Sequence, residues 1–341
     1  MTRQSQALTL WIHPALGVED VAQVSKELGK KILPAWHRLL ARGDLIPQKP
    51  KHFYAKAAYL MHQVTMPAIA ATEASFQVIG FNEQDFWLKV SPVHLRPDRD
   101  TLVLIPEAEL AMTADEAKSL KFAFNRHFEA EGLQLEGTDQ AWFLRLPQVI
   151  DFQSDTLDSL KYASMQGRYP TGASAGYWRR LMNEAQMLFH SHPVNERRRE
   201  QGQLDINSVW FWGEGQLDLA KMTSRNDAQI WSNHPYLIGL AKLTQAHQLA
   251  PVDSYIQWQQ QVDFNVSRHH LMQVLTPSLS SVQDYLIWLE ENWLSPIAAG
   301  LVNDQLHSVY IDFDYTMGWL VEPRCLKRFW RRSIPFKMIK E

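Results

Sequence analysis

From Ala7 to Leu146, short apolar runs of strand length alternate with stretches of helical apolar periodicity, and that alternation favours a layered α/β sheet. Ala7–Ile12 reads as a short strand. The helix after it carries Ile32, Leu33, Trp36, Leu39 and Leu40 on one face and stops at Gly43. The stretch Lys49–Met66 reads as helical after Pro50. Phe86–Leu95 and Thr101–Ile105 form two strands joined by the polar turn 96–100. Thr113-Ala114-Asp115-Glu116 has the capping-box pattern and opens a helix with Ala117, Leu120, Phe124 and Phe128 inward, ending at Gly132. Gln140–Leu146 is a further strand.

The second half continues less regularly. Residues 151–170 are polar and irregular, the place for a subdomain boundary or a lid, although the whole chain reads as one α/β unit. A helix is expected over Ala175–His190, with Trp178, Leu181, Ala185 and Leu188 at core spacing. It should end at His190, because Pro193 disfavours helical geometry at His192. Ile206–Trp212 and Leu306–Asp314 read as strands, His234–His247 and Val282–Trp293 as helices. His269-His270 is expected at the surface, and the basic tail from Pro323 as a helix.

Composition removes several function classes. A formal net charge of −3 over 341 residues lacks the cationic surplus needed to coat nucleic acid. Cys325 is the one cysteine, so an intrachain disulfide and a Cys-rich zinc site are both excluded. No window approaches the roughly 20 apolar residues of a membrane helix, and the first 22 residues lack a leader pattern. The expected location is the cytoplasm.

Two segments could carry chemistry. A strand ending in His94, Arg96, Asp98, Arg99 and Asp100 sets donors and acceptors at a loop mouth, where α/β sheets bind ligands. Arg96 and Arg99 could hold a phosphate or carboxylate through paired N–H groups. The competing reading is a turn whose charges pair with one another in water. The second segment runs from Asn183 to Gly215. Asn207 and Ser208 alternate on a strand with Trp210 and Trp212, and buried amides there must find partners. That segment fits either a ligand pocket or a hydrogen-bond network fixing helix to sheet. His190 and His192 lack metal-ligand spacing, and no G-x-S-x-G elbow, P-loop or G-x-G-x-x-G loop is present. Asp312 and Asp314 lie on one strand face, as an exposed pair, a cation site or an acid/base pair. Arg324, Lys327, Arg328, Arg331 and Arg332 surround Phe329 and Trp330, as a solvated basic face or a surface for an acidic partner or membrane.

Pro92-Val93-His94-Leu95-Arg96-Pro97-Asp98-Arg99-Asp100, Glu184-Ala185-Gln186-Met187, His192-Pro193-Val194-Asn195 with Arg198, and Asn207-Ser208-Val209-Trp210-Phe211-Trp212-Gly213 together resemble the RpfE-type regulatory proteins of bacteria. That likeness extends to Leu33-Pro34-Ala35, Leu39-Leu40-Ala41-Arg42 and Arg328-Phe329-Trp330-Arg331-Arg332. The family is distantly similar to the cofactor-independent, archaeal-type phosphoglycerate mutases of the alkaline phosphatase superfamily. The resemblance implies an alkaline-phosphatase-like layered α/β sandwich with a central, mostly parallel sheet. In the enzymes of that superfamily, two divalent metals held by Asp and His activate a Ser nucleophile. Here Trp11-Ile12-His13-Pro14-Ala15-Leu16-Gly17 stands where an Asp-Gly metal segment is expected, and paired late Asp-His motifs are not evident.

The combined reading is a mutase-like regulatory or binding protein for a small phosphorylated or carboxylated anion. Its pocket is assigned to His94, Arg96, Arg99, His192, Asn195, Arg198, Asn207, Trp210 and Trp212, with no metal ligand. No cofactor is expected, and Mn or Zn enters only if the chain is an active mutase or phosphatase. A further alternative is a scaffold that uses the basic C-terminal segment on a protein partner.

Overall fold

The computed structural model describes residues 6–12, 18–47, 50, 52–263, 267–275, 277–313, 317–332 and 334. Its contacts gather into two compact units, Met1–Met66 with Met222–Glu341, and Pro67–Lys221. In chain order the strands are β1 (Ala7–Ile12), β2 (Asp44–Pro47), β3 (Phe86–Asp98), β4 (Thr101–Pro106), β5 (Leu135–Gly137), β6 (Trp142–Leu146), β7 (Ser208–Gly215), β8 (Ala228–Trp231), β9 (His247–Leu249), β10 (His269–Val274), β11 (Ser308–Asp312) and β12 (Met317–Val321). Among the described residues, no helix is long and apolar enough to cross a membrane.

The first unit holds a seven-stranded sheet in the order β2-β12-β11-β1-β10-β8-β9. From β11 to β9 every pairing is parallel, and β12 and β2 add an antiparallel edge. Leu10 of β1 lies opposite Met272 on one side and Ile311 on the other. Such central strands are covered on both faces and read as apolar runs without alternation; all four residues of β8 are buried. Trp36, Trp258, Trp293 and Trp319 fill the core beside the sheet. The helix Pro34–Arg42 begins without a side-chain cap from Leu33. Its first N–H groups are met instead by the buried Glu290 carboxylate, which accepts from Ala35 and Trp36 at 2.7 Å each.

The second unit holds an antiparallel sheet, β4-β3-β6-β5, with β7 also paired to β3. The long β3 runs on through Pro97 to Asp98, so the turn to β4 is tighter than the sequence suggests. The helix Ala114–His127 carries the predicted capping box, Thr113 and Glu116 satisfying each other's backbone N–H. Helix Ala175–His190 has the expected bounds, and Trp178 meets Phe211 of β7 edge to face at 5.0 Å. Segment 151–170, expected as a boundary or lid, lies inside this unit. It is tied to β4 by the Tyr162 N–H on the Leu104 carbonyl and the Met165 N–H on the Leu102 carbonyl.

Three expectations are corrected. His270 is 1% exposed, because β10 is buried from its second residue on, while His269 is exposed as expected. The stretch after Pro323 is not a helix in its described part, which contains a single 3-10 turn at Cys325–Lys327. Asp312 is fully buried at the end of β11, not an exposed strand residue, while His13 and Asp314 lie outside the described residues.

Candidate functional site

The nine residues assigned to a pocket all fall in the second unit, and most of them face inward. Arg198 is 1% exposed and lies on the short helix Pro193–Glu200. Its Nε donates to the Leu204 carbonyl at 2.7 Å, its Nη2 to the Leu110 carbonyl, and its Nη1 to both Glu116 oxygens. The guanidinium therefore spends its fork on the protein rather than standing exposed in a pocket, as the sequence had implied. Asn195 is fully buried; its amide donates to the Phe189 and Ile206 carbonyls and accepts from the Ile206 N–H, each at 2.8 Å. Asn207 acts in the same way on β3, bonding both the N–H and the carbonyl of Leu95. These two amides lock the entry of β7 to the helix behind it and to the strand beside it.

The remaining residues divide between cap, core and surface. His192 caps the helix Pro193–Glu200 by accepting from the Val194 N–H at 3.2 Å. Burial lowers its pKa below the ordinary imidazole value, and Arg197 lowers it further. His94 meets the Asp205 carbonyl at 2.8 Å. Trp210 donates to the Asp155 carbonyl and Trp212 to the Ser91 hydroxyl, each at 3.0 Å. Lys89 stands 4.9 Å from the Trp212 ring centre and 2.7 Å from the buried Glu73 carboxylate. Of the nine, Arg96 and Arg99 are exposed, at the tip of the β3–β4 hairpin.

The first unit offers a second location, at the carboxyl ends of its parallel strands. In open α/β sheets ligands enter where the strand order reverses, which here is β1, with β10 on one side and β11 on the other. Asp312 closes β11 there, and the Lys56 ammonium lies 3.2 Å from its Oδ1, the two side chains 0% and 1% exposed. Phe53 stacks on Trp11 at 4.8 Å and approaches the His234 ring at 4.1 Å. Just beyond β8, Ser232 donates to the Gln273 side chain of β10 and accepts the His234 N–H. The described side chains at these strand ends thus contact one another. Sequence reasoning passed over Lys56, Ser232, His234 and Gln273. The available signal was Lys56 itself, the lone charge in the apolar helix Phe53–Leu60.

The resemblance implies divalent metals, and the described residues do not fit them. No three His, Cys, Asp or Glu side chains among the described residues stand together as a metal ligand set. At Asp312 the neighbouring group is an ammonium, whose charge opposes a metal cation at that carboxylate.

The seven-stranded sheet of the first unit makes this an α/β protein with a mostly parallel central sheet. It is distantly similar to cofactor-independent phosphoglycerate mutases. A Geobacter sulfurreducens protein described as "probable 2,3-bisphosphoglycerate-independent phosphoglycerate mutase" is 25% identical over 154 residues, 42% of this chain and 36% of that protein. A 2,3-bisphosphoglycerate-independent phosphoglycerate mutase of Methanosarcina mazei is 22% identical over 177 residues, 52% of this chain and 41% of that protein. The matched regions therefore span less than half the length of these relatives. Among solved structures, the cofactor-independent phosphoglycerate mutase of Thermoplasma acidophilum superposes with a TM-score of 0.52 at 13% identity, over 98% of this chain and 99% of that one. The PH0037 protein of Pyrococcus horikoshii superposes with a TM-score of 0.54 at 13% identity, over 93% and 87%. No family model matches the sequence.

Proposed function

We propose that this chain is an RpfE-type, phosphoglycerate-mutase-like regulatory protein of the cytoplasm, binding a small phosphorylated or carboxylated anion without turning it over. The observation that carries this reading is the Lys56–Asp312 pair, closed off from solvent at the carboxyl ends of the parallel strands. Two-metal phosphoryl transfer needs several anionic or imidazole ligands converging on an open position. Here an ammonium faces the carboxylate, and Trp11, opposite Asp312 across the sheet, stacks on Phe53. Arg96 and Arg99 are the members of the assigned pocket on which an anion could land from solvent, each offering a forked donor.

The second reading, an active metal-dependent mutase or phosphatase, draws on the names of the relatives. One experiment separates the two. The full chain, supplied with Mn or Zn, is assayed for interconversion of 3- and 2-phosphoglycerate, and its thermal stability is followed in 3-phosphoglycerate. The expected result is no turnover, with stabilisation that the double substitution Arg96→Gln/Arg99→Gln reduces. Turnover on the order of 1 s⁻¹ or faster overturns the proposal.

A further inference from the structure

The end of helix Val18–Ile32, the helix Pro34–Arg42 and the chain after Cys325 enclose a groove of about 460 Å³ in the first unit. Lys30, Arg38, Arg42, Arg331 and Arg332 line it with His37, and no carboxylate is among its described lining residues. Two of the cations are fixed in place by the backbone. Arg42 donates to the Leu326 carbonyl, and Arg331 to the Gly43 carbonyl at 3.1 Å. Asp44, the acidic neighbour, is engaged by Arg328 and by Arg331, and these partners hold it below the usual carboxylate range. Lys30, Arg38 and Arg332 are exposed. Phe329 forms an apolar part of the wall although 71% exposed, and Trp330, 64% exposed, meets it edge-on at 5.3 Å.

Holding several like charges around one concavity is unfavourable unless an anion enters, and forked guanidinium donors match phosphate oxygens best. An aromatic ring left in water at the same wall suits an apolar group attached to that phosphate. We propose that this groove binds an organic phosphate ester, its phosphoryl oxygens held by Arg38, Arg42 and Arg332 and its organic part lying against Phe329. The ester could belong to a soluble metabolite or to a lipid headgroup, and both present the same chemistry to these residues. This site is separate from Arg96 and Arg99, and it stands whether or not the chain turns over phosphoglycerate.

The test uses the full-length chain with two probes. In one arm, inorganic phosphate and 3-phosphoglycerate are titrated calorimetrically; in the other, the chain is sedimented with phosphatidylglycerol vesicles and with neutral phosphatidylcholine vesicles. The expected result, measured in the Arg96→Gln/Arg99→Gln background so that any binding at those two residues is already removed, is residual binding in at least one arm that adding Arg38→Glu/Arg332→Glu weakens about tenfold or more. Binding confined to the soluble arm identifies a metabolite, and binding confined to the anionic vesicles a headgroup. Phe329→Ala should weaken 3-phosphoglycerate or vesicle binding and leave inorganic phosphate unchanged. Both charge-reversed positions are exposed, so the variant should fold, and circular dichroism checks this. Binding in neither arm overturns the proposal, as does binding that Arg38→Glu/Arg332→Glu does not move.

Discussion

Arg198 and Glu116, 82 residues apart, face each other through Nη1 contacts of 3.1 and 2.9 Å to the two carboxylate oxygens. The same carboxylate closes the capping box of the helix Ala114–His127, accepting from the Thr113 N–H at 2.8 Å. A single acidic side chain therefore neutralises a buried guanidinium and satisfies a helix terminus. The helix Pro193–Glu200 is fixed through Arg198 to the chain around Leu110 and Leu204.

That arrangement predicts a stability phenotype for Arg198→Ala. Removing one partner of a buried ion pair leaves the other poorly solvated and costs about 3–5 kcal/mol. The Glu116 side chain is 17% exposed, which places the expected loss at the low end, about 3 kcal/mol. Arg198→Lys should recover less than half, since an ammonium cannot serve Glu116, Leu110 and Leu204 together. Urea unfolding of the three proteins measures this. An unchanged unfolding midpoint in Arg198→Ala, with anion binding lost, would restore Arg198 to a ligand site.

Acidification should act on the same pair. Burial pushes the Glu116 pKa up, but the Thr113 N–H and Arg198 outweigh it, and the net shift is below the ordinary value of 4.5. A carboxylate with a depressed folded-state pKa contributes stability that is present above about pH 4.5 and is lost as pH falls through its folded value. Thermal melts of wild type and Glu116→Gln between pH 3 and 6 (an interval spanning the ordinary carboxylate range) should converge at the acid end. Parallel curves over the whole interval would contradict the linkage.

His270 gives a second pH signature in a different window. Burial, with His269 adding to it, pushes its pKa from 6.5 down to about 4. The unfolded chain then binds a proton that the folded chain refuses, so stability falls as pH drops from about 6.5 toward about 4. His270 meets the Gln6 side chain at 2.8 Å, and His270→Gln keeps a polar group there without a titrating one. The variant should lose stability at neutral pH but show a shallower decline between pH 6.5 and 4 than wild type. Equal slopes would show that His270 does not control this interval.

Local signals explain what the sequence made legible. Thr113-Ala114-Asp115-Glu116 announces its helix because both cap bonds lie within four residues, and Pro193 marks the end of the preceding helix through a clash with its neighbour. β8 and β10 escaped notice because buried parallel strands carry no alternation, and because His269-His270 looks like surface chain. Arg198 looked like a ligand residue for a related reason. Its Glu116 partner sits inside a motif that already accounts for that glutamate, and nothing local links the two. The Glu290 carboxylate at the start of helix Pro34–Arg42, 255 residues from Ala35, is equally invisible to any window.

Lys56 and Asp312 supply the last prediction, and the one that bears most on function. They lie 256 residues apart and meet at 3.2 Å, with the lysine and aspartate side chains 1% and 0% exposed. Each charge is tolerable there only in company, since an isolated ion so deep would cost several kcal/mol of desolvation. Lys56→Met preserves the apolar stem and removes the ammonium, so it should destabilise the chain by about 3–5 kcal/mol. Asp312→Asn should cost a comparable amount by removing the negative charge that faces the Lys56 ammonium. If the pair acts as a unit, the double variant Lys56→Met/Asp312→Asn should be distinctly more stable than the two single losses added together. Urea denaturation of all four proteins closes the cycle. A Lys56→Met variant within about 0.5 kcal/mol of wild type would mean that the strand-end carboxylate has no need of the ammonium. It would reopen Asp312 as a group available for chemistry at the head of β11.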